Sequence, residues 1–214
     1  MGETIPVQET FNATVQGEGF WAGTPCDFIR LYGCPVGCLW CDTGYAAPEY
    51  GHDLPRVLRF IDQLVEGTQS PMVVISGGEP FIHAALPDLC KELLAASQSP
   101  SVAIETSGSF WQPIPDQVWV TLSPKEHHRL RSPVTPEIWQ RANEVKIVIS
   151  SHDDLLYYLD KAVLGHDGQH LFLQPEWTEI DRTLPLVLAM LSDSTFYQYK
   201  PRLSLQTHKY IGVQ

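Results

Sequence analysis

The chain has 214 residues, 43% hydrophobic and 18% charged, which suits one domain (1–214) with a substantial core and is short for two. Its 25 acidic residues against 14 basic ones give a formal net charge of −11, which argues against nucleic acid as a direct partner, because phosphate binding normally needs a basic face. No apolar run reaches the length of a membrane span and the first residues lack the pattern of a signal peptide, so a cytoplasmic protein is expected whose five cysteines do not form a disulfide scaffold.

After a glycine-containing N-terminal segment, "DFIRLYG" (Asp27 to Gly33) predicts a strand that enters a cysteine-rich loop. Leu54, Val57, Leu58, Ile61, Leu64 and Val65 follow helical spacing, with Gly67 as C-cap. A strand at Met72 to Ser76 precedes a helix near Leu86 to Ala96, and strands follow at "VAIET" and "VWVTL". "TPEIWQRA" opens as a helix with Thr135 as N-cap and Pro136 in the first turn. "EVKIVIS" predicts a strand, "SHDDLLYYLDKAVL" a helix capped by Ser151, and "HLFLQP" another strand. A helix around Leu184 to Leu191 and the strand in "RLSLQTH" complete the series. Six or seven strands alternating with helices imply an α/β fold with a parallel sheet, an open or partial barrel in preference to a complete eightfold one.

Polar clusters recur where these strands end: "GGEP" after "VVIS", "ETSG" with "VAI", "SPK" after "VWVTL", "QPE" after "LFL" and "QTHK" after "LSL". In parallel α/β folds that edge forms the ligand-binding mouth. Turn residues are polar in any protein, but five such clusters beside a metal-type motif point to a site. The run "KEHHRLR", with His127 and His128, is expected to be a solvated surface loop. Cys26 and Cys90 are expected to be buried structural residues, and Trp111, Trp119 and Trp139 core or interface.

The motif is "CPVGCLWC", Cys34, Cys38 and Cys41 in CxxxCxxC spacing. A structural zinc site needs four ligands, which Asp42 or a distant histidine could complete. A thioredoxin-type CxxC does not fit the extra Cys34 or Trp40. Three thiolates can also hold a cuboidal 4Fe-4S cluster with one iron open to an exogenous ligand.

CxxxCxxC with an aromatic residue before the last cysteine, followed by "GGEP" at Gly77 to Pro80, resembles the radical S-adenosylmethionine superfamily. "VQGEGFWAGTPCDFIRLYGCPVGCLWCDT", "SGGEP", "ETSG", "LSPK", "EVKIVI", "LQPE" and "RLSLQTHKYIG" narrow the resemblance, over nearly the whole chain, to the 7-carboxy-7-deazaguanine synthase family. The resemblance implies a modified, incomplete (β/α) barrel of the radical S-adenosylmethionine type and a homodimer. It also implies conversion of 6-carboxy-5,6,7,8-tetrahydropterin to 7-carboxy-7-deazaguanine, with ring contraction and loss of ammonia, in queuosine biosynthesis. The implied cofactors are a 4Fe-4S cluster, S-adenosylmethionine and Mg2+, with an external electron donor such as flavodoxin or ferredoxin.

By the same resemblance, Cys34, Cys38 and Cys41 ligate the cluster and Thr43 contributes a hydroxyl to magnesium. Gln16, Gly17, Glu18 and Arg30 fall at substrate positions, and His208 at a position suited to proton transfer or to holding a carboxylate. Gly77, Gly78, Glu79, Ser107, Ser123, Lys125 and Gln174 fall at S-adenosylmethionine positions. The proximity of His208 to Gln214 suggests that the Gln214 carboxylate also approaches the substrate. An activase for a glycyl-radical enzyme shares the cysteine motif but has no need of "QGEG" or "SLQTHK", and a zinc-stabilised module without catalysis is the alternative from another class.

Overall fold

The computed structural model describes residues 3–38, 41, 43, 56–98, 100–128, 132–161, 164 and 168–213. The strands among them are β1 (Thr4–Val15), β2 (Pro25–Leu31), β3 (Val57–Phe60), β4 (Met72–Gly77), β5 (Ser101–Thr106), β6 (Trp119–Leu122), β7 (Glu144–Ile149), β8 (His170–Pro175) and β9 (Arg202–Leu203). The helices are α1 (Ile61–Glu66), α2 (Leu86–Ala95), α3 (Pro136–Arg141), α4 (Asp153–Asp160), α5 (Ile180–Ser192) and α6 (Thr207–Ile211). The strands form one sheet in the order β3-β1-β2-β4-β5-β6-β7-β8-β9. From β2 to β9 every pairing is parallel, whereas β1 runs antiparallel to both β2 and β3. The sheet therefore stays open, an incomplete barrel with two antiparallel strands at one edge. Among the described residues no helix is long and apolar enough to cross a membrane.

Two-residue alternation divides each parallel strand between two environments. Ile29 and Leu31 of β2, Val73 and Ile75 of β4, Val102 and Ile104 of β5, and Val145, Ile147 and Ile149 of β7 join the main core. There they meet helix residues such as Leu86, Leu89 and Leu93 of α2 and Leu155 and Tyr158 of α4. On the other face, Cys26, Met72, Val74 and Ala103 form a second, smaller apolar cluster with Trp21, Phe28 and Trp119. Further along the same face the side chains turn polar: Arg30, Ser76, Glu105 and Lys146. The apolar cluster thus underlies a polar cavity floor. Cys26 and Cys90 are both fully buried, as expected.

Several expectations are corrected. The parallel strands read from the sequence are all present, seven of them from β2 and β4 to β9, and what the sequence reading lacked is the antiparallel edge of β1 and β3 that brings the described sheet to nine. The helix expected from Leu54 to Val65 begins only at Ile61. Val57 to Phe60 pair with Val7 to Thr4 instead, so an edge strand in need of a partner overrides local helical spacing. Leu54 lies outside the described residues. Gly67 does cap α1. Thr135 precedes α3 as expected, yet its buried hydroxyl makes no capping bond. Ser151 is not the cap of α4: the helix begins at Asp153 with His152 in the cap position, and Ser151 instead donates to Asp154 from both its amide and its hydroxyl. The "KEHHRLR" stretch is anchored, not freely solvated, in its described part. Glu126 is 3% exposed, accepts from the Val134 amide at 2.9 Å and pairs with Lys161 at 2.7 Å. His127 and His128 both lie against the buried Asp154, so they are not simple surface histidines.

Candidate active site

The carboxyl ends of β2 and β4 to β8 open into one cavity of about 420 Å³. Cys34, Cys38, Cys41 and Thr43 line it after β2, and Ser76, Gly77 and Gly78 line it at the end of β4. Ser107 follows β5, Ser123 and Lys125 follow β6, and Gln174 ends β8. Gln16, Gly17 and Glu18 enter from the loop after β1, Arg30 from β2, and His208 from α6. The sequence-predicted residues therefore converge, with two exceptions. Gln214, together with Asp42 and Trp40, lies outside the described residues. Glu79 is present but sealed behind the wall, fully buried.

Glu79 has a definite task in that position. Its carboxylate accepts from Thr106 Oγ1 at 2.6 Å, the Ser107 amide at 2.9 Å, Ser107 Oγ at 2.5 Å and the Phe81 amide at 3.2 Å. Burial raises its pKa above the usual carboxylate range, with these hydrogen bonds opposing. The side chain thus ties the β4 loop to the end of β5 and positions the cavity-lining Ser107. Gly77 and Gly78 keep this wall thin. A β-carbon on Gly77 would strike the Leu31 backbone, and one on Gly78 the Gly33 carbonyl and Cys34.

The cavity floor carries a charge cluster that the sequence reading did not assign. Lys146, 3% exposed on β7, pairs with Glu18 and with Glu105 on β5, the latter at 2.9 Å. Gln16 donates to Glu105 at 3.0 Å, and Gln206 to Glu18 at 2.7 Å. Burial opposes ionisation of Glu18, but the Lys146 charge, bonds from Lys146 and Gln206, and His208 together bring its pKa down to about 2. Burial likewise opposes the Lys146 charge, and Glu105, Glu18 and Glu144 more than reverse this, raising its pKa. Arg30 points into the cavity, paired with Glu9 and lying 5.3 Å from the Phe11 ring centre. Its Nε is buried without a partner among the described residues. Gly17 admits His208, since a β-carbon there would collide with the imidazole.

Lys146 and Glu105 had a readable signal. Val145, Ile147 and Ile149 make one apolar face of "EVKIVI", so Lys146 must sit on the other, with Glu144 and Val148. A lysine within such a strand needs buried anions. Glu144, below the cavity, accepts from the Phe20 amide at 2.9 Å. Burial and the Glu105 charge push its pKa up from 4.5 to about 7, against Lys146 and the Phe20 and Thr121 hydrogen bonds. The folded protein therefore holds a proton on Glu144 that the unfolded chain releases between those values. This stabilisation is full below pH 4.5 and is lost as the pH rises through about 7. Glu144→Gln is expected to flatten the decline in unfolding free energy across that window in urea titrations; slopes equal to wild type would contradict the assignment.

No protein-family model matches the chain. Individual relatives do. It is 39% identical to the 7-carboxy-7-deazaguanine synthase of Synechocystis sp. over 99% of this chain and 94% of that one. It is 34% identical to the Escherichia coli protein of the same name, over 97% and 98%. The crystal structure of QueE from Escherichia coli superposes with a TM-score of 0.77 at 32% identity, covering 96% of this chain and 95% of that one. Similarity at this level over nearly the full length, on a fold whose strand ends gather the thiols, the glycine wall and the charged floor, means that the chain belongs to the 7-carboxy-7-deazaguanine synthase family.

Proposed function

We propose that the strand-end cavity is where 6-carboxy-5,6,7,8-tetrahydropterin is converted to 7-carboxy-7-deazaguanine, with ring contraction and ammonia release, in queuosine biosynthesis. The observation that carries this is convergence: Cys34, Cys38 and Cys41, the glycines of "SGGEP", Gln16, Glu18, Arg30 and His208 all line one cavity. Near full-length similarity to synthases of this name leaves the activase and zinc-module readings without support.

The residues fit the implied cofactors. Three cysteines with no competing hard ligand in their motif form a donor set for iron and sulfide. Burial pushes the Cys34 thiol up to about 11, while the Val36 and Gly37 amides point at its sulfur and favour the thiolate that a metal requires. Cys34, Cys38 and Cys41 would hold a 4Fe-4S cluster, with S-adenosylmethionine against Gly77, Gly78, Ser107, Ser123, Lys125 and Gln174. Together, once bound, they supply one-electron radical chemistry, for which the electron comes from a donor such as flavodoxin or ferredoxin. The hydroxyl of Thr43, beside the cysteines, suits a magnesium ion that keeps most of its water.

The protein's own contribution is placement. Arg30, held by Glu9 and stacked near Phe11, offers its unpartnered Nε to a substrate carboxylate. Gln16 and Glu18, held by Glu105, Lys146 and Gln206, present a fixed amide and an ionised carboxylate to the donor–acceptor edge of the pterin. His208, packed against Gly17, would take or give a proton at the substrate. We infer a homodimer from the family resemblance, and a cytoplasmic location stays the expectation from the sequence. The test is an anaerobic assay of the reconstituted enzyme with reductant, S-adenosylmethionine, magnesium and the carboxytetrahydropterin. Carboxydeazaguanine and ammonia are the expected products. Their absence from fully loaded enzyme would refute the substrate assignment, and zinc bound in place of iron would refute the radical chemistry.

A further inference from the structure

Behind the Ser123–Lys125 strand end lies a second group of metal-type side chains that the proposed reaction does not use. The turn after β6, closed by a bond from the His128 amide to the Lys125 carbonyl at 3.1 Å, brings two consecutive imidazoles to the same side. Their ring centres are 4.8 Å apart. His127 Nδ1 lies 2.9 Å and His128 Nε2 2.5 Å from one atom, Asp154 Oδ1 at the start of α4. The donor atoms of all three residues fall within 4.8 Å of one another. We propose that His127, His128 and Asp154 form a binding site for a divalent transition-metal ion, with zinc as the best match, distinct from the cysteine motif.

The carboxylate is built for that use. Asp154 is 1% exposed, and its other oxygen, Oδ2, accepts from the Ser150 amide at 2.8 Å, Ser150 Oγ at 3.0 Å, the Ser151 amide at 2.7 Å and Ser151 Oγ at 3.3 Å. Four donors on one oxygen fix the plane of the group and aim Oδ1 at the imidazoles, as outer partners orient ligating carboxylates in metal sites. The His127 ring is held in turn by stacking on Tyr157, 4.6 Å between centres. The two imidazoles are 25% and 28% exposed, so an ion and a completing water can enter from solvent.

The ligand chemistry selects the ion. Two imidazoles and one carboxylate suit zinc or a neighbouring transition metal, whereas magnesium and calcium take oxygen shells. Zinc bonds of about 2.0 Å place tetrahedral ligand atoms about 3.3 Å apart, so each ring needs to retreat from Asp154 by less than about 1 Å. The ion would clamp the turn that carries the cavity-lining Lys125 onto α4.

The test uses the full chain with its iron–sulfur cluster loaded, so that the cysteines are occupied. It is dialysed anaerobically against micromolar zinc, and zinc and iron are measured together. Wild type is expected to retain about one zinc per chain beyond its iron, with an X-ray absorption shell of nitrogen and oxygen near 2.0 Å. His127→Gln and His128→Gln, both at partly exposed positions, are expected to weaken zinc retention at least about tenfold with iron content unchanged. Three results would each overturn the proposal: no zinc retained by wild type, equal zinc in wild type and both variants, or sulfur near 2.3 Å in the zinc shell.

Discussion

Lys146→Met is expected to destabilise the folded protein by about 3–5 kcal/mol, the cost of removing one partner from a buried ion pair. The substitution keeps an unbranched side chain of nearly the same length and removes its charge. Glu18 and Glu105 then lose their shared cation, and Glu144 loses the charge that opposes its protonation. Taking charges out of water is expensive, and these were desolvated on the strength of that cation. The penalty should shrink in mildly acidic solution, where the three carboxylates can take up protons instead. Urea unfolding on both sides of neutrality therefore carries two readouts, the loss itself and its relief by acid. Glu105→Gln in the Lys146→Met background should recover part of the stability, because it deletes one stranded charge. A loss below about 1 kcal/mol, the range of an exposed pair, would mean that the cluster is effectively solvated.

The second large effect separates two cysteines. Cys38→Ala is expected to abolish both turnover and the iron–sulfur absorption, because it removes one of three thiols on the cavity wall. Cys90→Ala is expected to retain the cluster and full activity. Cys90 sits on the core face of α2, completely buried, with its thiol pushed up to about 12 by burial alone. Its loss removes one small apolar group, a cost of about 1 kcal/mol that a melting curve would register. Iron retained by Cys38→Ala at the wild-type level, or lost from Cys90→Ala, would show that the motif does not hold the cluster.

Much of the site was legible because strand-end position and motif point the same way. The cysteines, the two glycines of "SGGEP", Ser107, Ser123, Lys125 and Gln174 all follow apolar strands in the sequence, and all line the cavity. The charged floor was harder to see. Lys146 and Glu105 lie within strands, where a motif search takes them for spacing residues, and only alternation against a known core face reveals their direction. Glu79 shows a different limit: its place in the chain is evident, but whether its carboxylate faces the ligand or the wall depends on Thr106 and Ser107 of another strand. The edge of the sheet was least legible. Val57 and Leu58 fit a helical pattern, and β1 is what recruits them as a strand. His127 and His128 look like surface residues until α4 brings Asp154 beneath them.

The cavity is closed by partners from opposite ends of the described chain. The Gly19 amide donates to Ser204 Oγ across 185 residues, Gln206 reaches Glu18 across 188, and the Thr207 amide bonds the Gly17 carbonyl. Contacts so distant in sequence bear the largest loop-closure entropy and form late in folding. During synthesis, β1 to β8 can assemble while the segment bearing Gln206 and His208 is still on the ribosome. A nascent chain at that stage would own a sheet and a cysteine loop but an unfinished pocket. Its radical chemistry would have no confined substrate until the final closure is made.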